Sequence, residues 1–71
     1  MTLADLPHFI DRQITGLSGD TVLLGRLREL GFISGEVVRV NGQAPFGGPL
    51  LVEIRGAVIA LRKAEAECVC L

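Results

Sequence analysis

The chain has 71 residues, 49% of them hydrophobic, and a formal net charge of −1 from seven Lys+Arg and eight Asp+Glu. That length supports one domain with one small core, and the balanced charge argues against a nucleic-acid-binding module, which normally shows a basic face or stripe. The longest aliphatic run, Ala57-Val58-Ile59-Ala60-Leu61, falls far short of the roughly 20 residues a membrane-spanning helix needs.

Met1 to Pro7 holds Thr2 with Asp5 three residues on, the outline of a helix start or tight turn. Leu3 and Leu6 pin it to the core and Pro7 ends it. Phe9 to Leu17 reads as one strand, with Ile10, Arg12 and Ile14 on one side and Asp11, Gln13 and Thr15 on the other. Ser18-Gly19-Asp20 turns the chain, and the Asp20 carboxylate is suited to accept from the orphan amides of a following helix. Thr21 to Leu30 places Leu23, Leu27 and Leu30 at spacings of four and three, with Leu24 beside them and Arg26 and Glu29 pointing away. This is one apolar helical stripe. Gly25 costs that helix about 1 kcal/mol relative to Ala, which suggests either close packing of the helix on the barrel or an idle glycine. Gly31 falls where a helix end wants a positive φ, and Phe32 after it can fold back onto the helix.

From Ile33 the pattern is β. Asn41-Gly42 reads as a bulge or bend, because the stronger break is Pro45-Phe46-Gly47-Gly48-Pro49. Leu50 to Arg55 alternates Leu50, Val52 and Ile54 against Leu51, Glu53 and Arg55, and Arg55-Gly56 reverses the chain into Ala57 to Leu61. Arg62 to Glu65 is expected as one 3₁₀ turn and Cys68 to Leu71 as a last short strand. Short, evenly spaced strands with Gly-rich turns predict a mainly β fold: a five-stranded SH3-like barrel with one inserted α-helix and a short N-terminal turn, a single domain over residues 1–71.

Reactive chemistry is sparse. The chain has one histidine, His8, and no Tyr or Trp. Ser18 and Ser34 both sit beside glycine in turn contexts, so no nucleophile–base set can be assembled, and the glycines lack phosphate-loop spacing. A non-enzymatic protein is the expectation. Cys68 and Cys70 would share a strand face, too strained for a bridge, and fit reduced thiols. With His8 they are the candidate ligands for a transition metal, Fe²⁺ or Zn²⁺. The alternative is that both cysteines are small apolar packing residues and His8 a rim residue. No basic start with an apolar h-region opens the chain, so a cytosolic location is expected.

The loop Ala44 to Pro49 is the candidate binding surface, since loops on a rigid barrel carry binding. Pro45, Phe46, Gly47 and Pro49 form it, and Phe46 is either an exposed anchor for a partner or a plug over one barrel end. Arg26, Arg28 and Glu29 on the helix offer a second face or an ordinary solvated one. Apolar excess and open barrel edges permit a homodimer.

The ordered set Arg26-Leu27-x-Glu29-Leu30-Gly31-Phe32-x-x-Gly35, Ala44-Pro45-x-Gly47-x-Pro49, Arg55-Gly56, Ala60-Leu61-Arg62 and Glu65-Ala66 resembles the ferrous iron transport protein A family, FeoA. The resemblance runs from Leu3 to Leu71. It implies an SH3-like barrel and a small cytosolic accessory of bacterial ferrous iron uptake. The implied partner is the cytoplasmic part of the permease FeoB, which carries a G-protein domain. Similar barrels form the C-terminal domain of iron-dependent repressors, so a metal-binding or metal-sensing domain is the alternative. Gly48 stands where relatives often carry an acidic residue, Phe9 near where they often have Pro-Gly, and Cys68 and Cys70 where they usually have aliphatic residues.

Overall fold

The computed structural model describes all 71 residues. A 3₁₀ turn (Leu3–Asp5) leads into β1 (Arg12–Gln13), β2 (Gly16–Leu17), α1 (Thr21–Glu29), β3 (Val37–Gln43), β4 (Leu50–Ile54), β5 (Ala57–Leu61), α2 (Lys63–Ala66) and β6 (Val69–Cys70). The strands form two antiparallel sheets, one ordered β1-β3-β4-β5 and the other a β2-β6 pair. Fifteen buried hydrophobic residues fill the space between them, Phe32, Leu3, Ile14 and Leu27 being the largest with no meaningful exposure.

The expected strand over Phe9–Leu17 is broken. Phe9 adopts a φ of 65° in the left-handed region, and only Arg12–Gln13 and Gly16–Leu17 form strands. The break falls where the segment changes sheets. Ile14 N–H donates to Glu36 O at 2.8 Å on the β3 side, and Thr15 N–H donates to Cys70 O at 2.9 Å on the β6 side. The same segment thus edges both sheets, which is why alternation alone could not show two elements. The sheet is barrel-like without closing on itself, and five expected strands become six short ones.

α1 buries Leu24 and Leu27, whereas Leu23 is half-buried and Leu30 exposed, so the stripe is narrower than its spacing suggests. Asp20 occupies the N-cap with extended backbone, but its carboxylate makes no cap bond. The other end is fully made. Gly31, at φ 100°, donates to Arg28 O at 3.0 Å, and Phe32 donates to Leu27 O at 3.0 Å. This paired return is the Schellman closure, and it drives the Phe32 ring to full burial. Gly25 has no comparable duty, because a Cβ built there meets nothing within 4 Å. The close packing its presence suggested is absent.

β3 carries the bulge expected at Asn41-Gly42: its register against β4 shifts between Val40 and Gly42. Beyond β4, Arg55 and Gly56 take φ of 52° and 79° and close a two-residue hairpin into β5. Both central residues at positive φ mark the type I′ geometry that matches strand twist. Arg62 to Glu65 is not a 3₁₀ turn but the start of α2. Arg62 N–H donates to Glu65 Oε1 at 3.0 Å, so the Glu65 side chain satisfies an amide that the short helix leaves orphaned. At the ends of the chain, Thr2 bridges Cys70 and Leu71 N–H donates to Met1 O at 3.0 Å.

The two glycines, one inside α1 and one just past its end, therefore have opposite expected effects. Gly25→Ala adds a helix former in open space and is expected to raise stability by about 0.5–1 kcal/mol. Gly31→Ala forces a Cβ into the left-handed region and is expected to lower it by about 1–2 kcal/mol. Urea midpoints at constant m-value measure both, and equal effects would contradict the helix-end geometry.

Candidate functional site

The loop between β3 and β4 is held by its own backbone. Ala44 N–H donates to Pro49 O at 2.9 Å, closing the base. Gly48 N–H is shared between Ala44 O and Pro45 O, each at 3.2 Å, and Gln43 Nε2 donates to Gly48 O at 3.0 Å. A Cβ at Gly48 would lie 2.8 Å from the Ala44 Cβ, closer than carbon atoms approach. Gly48 is therefore required by the tight fold of this loop.

The same geometry lifts Phe46 into solvent. Its φ of 61° and that of Gly47, 71°, are successive left-handed residues at the loop tip. Phe46 has a relative exposure of 106%, so nothing covers the ring and the plug reading is excluded. A left-handed phenylalanine costs roughly 1 kcal/mol, and no burial in this chain offsets it. Pro45 and Gly47 are exposed beside it, and Pro49 is half-buried at the loop base. No pocket indents the surface.

Arg26, Arg28 and Glu29 are exposed on α1, as the helical spacing placed them. No ion pair or side-chain hydrogen bond joins them to the 44–49 loop. Arg26 has a role that sequence reading missed. Its Nη1 stands 3.4 Å from Oε2 of Glu65, a carboxylate only 5% exposed. The pair is out of line for a hydrogen bond, which leaves Oε2 balanced by charge alone. Glu65 thus caps α2 with one oxygen and ties α2 to α1 with the other. Its position three residues after Arg62 is the capping-box spacing, the one signal that could have revealed it. Elsewhere, Arg39 Nε donates to Asp11 Oδ1 at 2.8 Å, and this bond together with the Asp11 charge raises the guanidinium pKa above its ordinary value.

The candidate metal ligands do not converge. His8 is exposed, with its ring edge-on to Phe9 at a centroid distance of 6.3 Å. Cys68 lies in the turn before β6 rather than on it, is 7% exposed, and donates from Sγ to Ala64 O at 3.4 Å. Cys70 is half-buried in β6, opposite Gly16. Both thiols are free, and no three His, Cys, Asp or Glu side chains gather where an ion could be held.

A family model, the FeoA domain, matches residues 1–71. The chain belongs to the FeoA family. Stenotrophomonas maltophilia FeoA, a prokaryotic SH3 domain protein solved in complex with zinc, is 40% identical and superposes with a TM-score of 0.83. The alignment covers 97% of this chain and 86% of that one. Iron(II) transport protein A of Clostridium thermocellum is 32% identical, with a TM-score of 0.89 over 97% of this chain and 43% of its own. A manganese-dependent transcriptional repressor shares the fold at 20% identity, with a TM-score of 0.86 over 39% of its chain. Among proteins of curated function no sequence matches. These likenesses make the fold SH3-like.

The zinc held by the Stenotrophomonas protein invites a test of the donors in this one, and they do not fit. A structural zinc ion takes four ligands, whereas His8, Cys68 and Cys70 do not make a set even of three. The geometry instead gives Cys68 a packing role. A Cβ at Gly19, where φ is 145°, would stand 2.7 Å from the Cys68 Sγ. Gly19→Ala is accordingly expected to destabilise the domain by more than about 1 kcal/mol, a steric and a backbone cost together. Adding Cys68→Ala should recover part of that loss, because the Cβ of residue 68 lies at an ordinary 3.7 Å. A double-mutant cycle in urea measures the coupling, and strict additivity would contradict the contact.

Proposed function

We propose that this FeoA-family domain is a protein-interaction module of ferrous iron uptake. It works in the cytoplasm, docks on the cytoplasmic part of an FeoB-type permease, and modulates that permease or its nucleotide cycle. The observation that carries the reading is Phe46: a fully exposed aromatic, held at positive φ on a loop with a closed hydrogen-bonded base. A strained, solvent-facing ring is costly in the free domain, and aromatic anchors of this kind dominate binding hot spots. Membership of the FeoA family supports the same reading, as does the likeness to the Stenotrophomonas protein, itself a candidate ferrous iron transport activating factor. Pro45, Gly47 and Pro49 shape the anchor. Arg28 and Glu29, which make no ion pair within the domain, offer a second face on α1, while Arg26 is occupied by Glu65.

Phe46→Ala should leave the fold intact, since no other part of the chain covers the ring. It is expected to weaken binding to the purified cytoplasmic domain of the permease more than about tenfold, the scale of a hot-spot loss of about 2 kcal/mol. Calorimetry of wild type and variant, with circular dichroism to check the fold, makes the comparison. Equal affinities would remove Phe46 from the interface, and no binding by the wild type would remove the permease.

Metal binding is a second reading, favoured by the zinc complex of the 40% identical relative. With donors this dispersed, we expect the isolated monomer to take up zinc or ferrous iron only weakly, with no stoichiometric tight site. Anaerobic titration followed by calorimetry tests this. Tight 1:1 binding lost in the Cys68→Ser, Cys70→Ser double variant would establish the metal site and overturn the packing role of Cys68.

A further inference from the structure

The four-stranded sheet ends on one side at β1 and on the other at β5. β1 presents exposed Arg12 and Gln13, the polar rim expected of a protected edge. β5 presents Ala57-Val58-Ile59-Ala60-Leu61, with no charge, no proline and a regular register against β4 from Leu61 to Ala57. Val58 is 58% exposed, Ala57 and Ala60 are exposed, and Ile59 is half-buried. None of the defences that keep edge strands from pairing is present within the strand.

The hairpin fixes which backbone groups are free. A two-residue loop makes the flanking residues, Ile54 and Ala57, the closing hydrogen-bonded pair, and pairing then alternates. Ala57, Ile59 and Leu61 therefore turn their N–H and C=O groups to β4, while those of Val58 and Ala60 face outward. No turn, loop or cap hydrogen bond reaches residues 57 to 61 from the other side. Two outward donors and two outward acceptors stand at ladder spacing beside an apolar strand.

Charge decides what can lie there. Arg55 precedes the strand, with a side chain 65% exposed and only a loose 3.8 Å ion pair to Glu36. Arg62 and Lys63 follow it, both exposed and without an ion pair. Glu53, the acid nearest on the sheet face, is held by Asn41 Nδ2 at 3.0 Å. The edge is thus a neutral apolar centre between basic ends. A second copy paired about Ile59 would use the same outward groups, but it sets Arg55 of each copy against Lys63 of the other. Arg55 in the hairpin turn and Lys63 in α2 lie beyond the paired strand. Bringing like charges together at both ends is still unfavourable, so a strand with acidic ends fits better.

We propose that the free edge of β5 is a strand-addition site for an extended apolar segment of a partner protein, flanked on both sides by acidic residues. Main-chain pairing with Val58 and Ala60 supplies the binding, and Arg55, Arg62 and Lys63 supply selectivity. The site is independent of the Phe46 loop, and its failure would leave the loop reading standing.

The test uses the full chain labelled with nitrogen-15 and two synthetic peptides with the same alternating valine–threonine centre, one with paired aspartates at both ends and one with paired lysines. The aspartate peptide is expected to shift the Val58 and Ala60 amides and slow their exchange. It should bind about tenfold more tightly than the lysine peptide, the scale of a few exposed ion pairs, with the difference shrinking as salt rises. Ala60→Pro removes one outward amide and should abolish binding. N-methylation of alternate peptide amides makes the same cut should that variant not fold. Phe46→Ala should bind the peptide as the wild type does. Absence of shifts at Val58 and Ala60, equal binding of both peptides, or protection of these amides that grows with protein concentration without peptide would each overturn the proposal, the last in favour of a second copy.

Discussion

Two adjacent amides hold the architecture together: Ile14 donates toward β3 and Thr15 toward β6. A domain of this size has little surface to bury, and here one backbone segment serves two sheets. The consequences spread outward from that crossing. It turns Ile14 inward to full burial, leaves Phe9 and Ile10 outside, and sets the last strand against β2. The helix end at Gly31 completes the enclosure by returning Phe32 to the core, where its ring joins the same interior as Leu27.

Much of this was legible in the sequence because it depends on local rules. The helix bounds followed from apolar spacing, and its end from Gly31-Phe32, where a positive φ permits the return. The bulge at Asn41-Gly42 and the reversal at Arg55-Gly56 followed from glycines flanked by alternating residues. The failures share a cause too. The Phe9–Leu17 segment alternates like one strand because sequence period reports which face a residue occupies, not which sheet it joins. Gly25 suggested close packing, but helix propensity cannot distinguish a needed glycine from a tolerated one. The Cys68–Cys70 spacing assumed a strand that begins only at Val69.

The candidate site divides along the same line. That the Pro45–Pro49 loop would protrude was visible in its glycines and prolines. Whether Phe46 pointed out or in was not, because the answer rests on the shared Gly48 amide and the close approach of Ala44, which are contacts within the loop. Glu65 was hidden for a different reason. A glutamate in a charged run suggests solvent, yet here one oxygen closes a helix end and the other faces Arg26 across the gap between the two helices. The placement of Phe46 and Glu65 thus depends on contacts that appear only in three dimensions.

The hydrogen bond from Leu71 to Met1 brings the first and last residues of the barrel side by side. A unit whose two ends meet can be spliced into a longer polypeptide through one narrow stalk, without stretching or prying open its host. The same geometry makes the molecule a natural subject for circular permutation, with new termini cut into a surface turn and the old ones sealed by a short bridge.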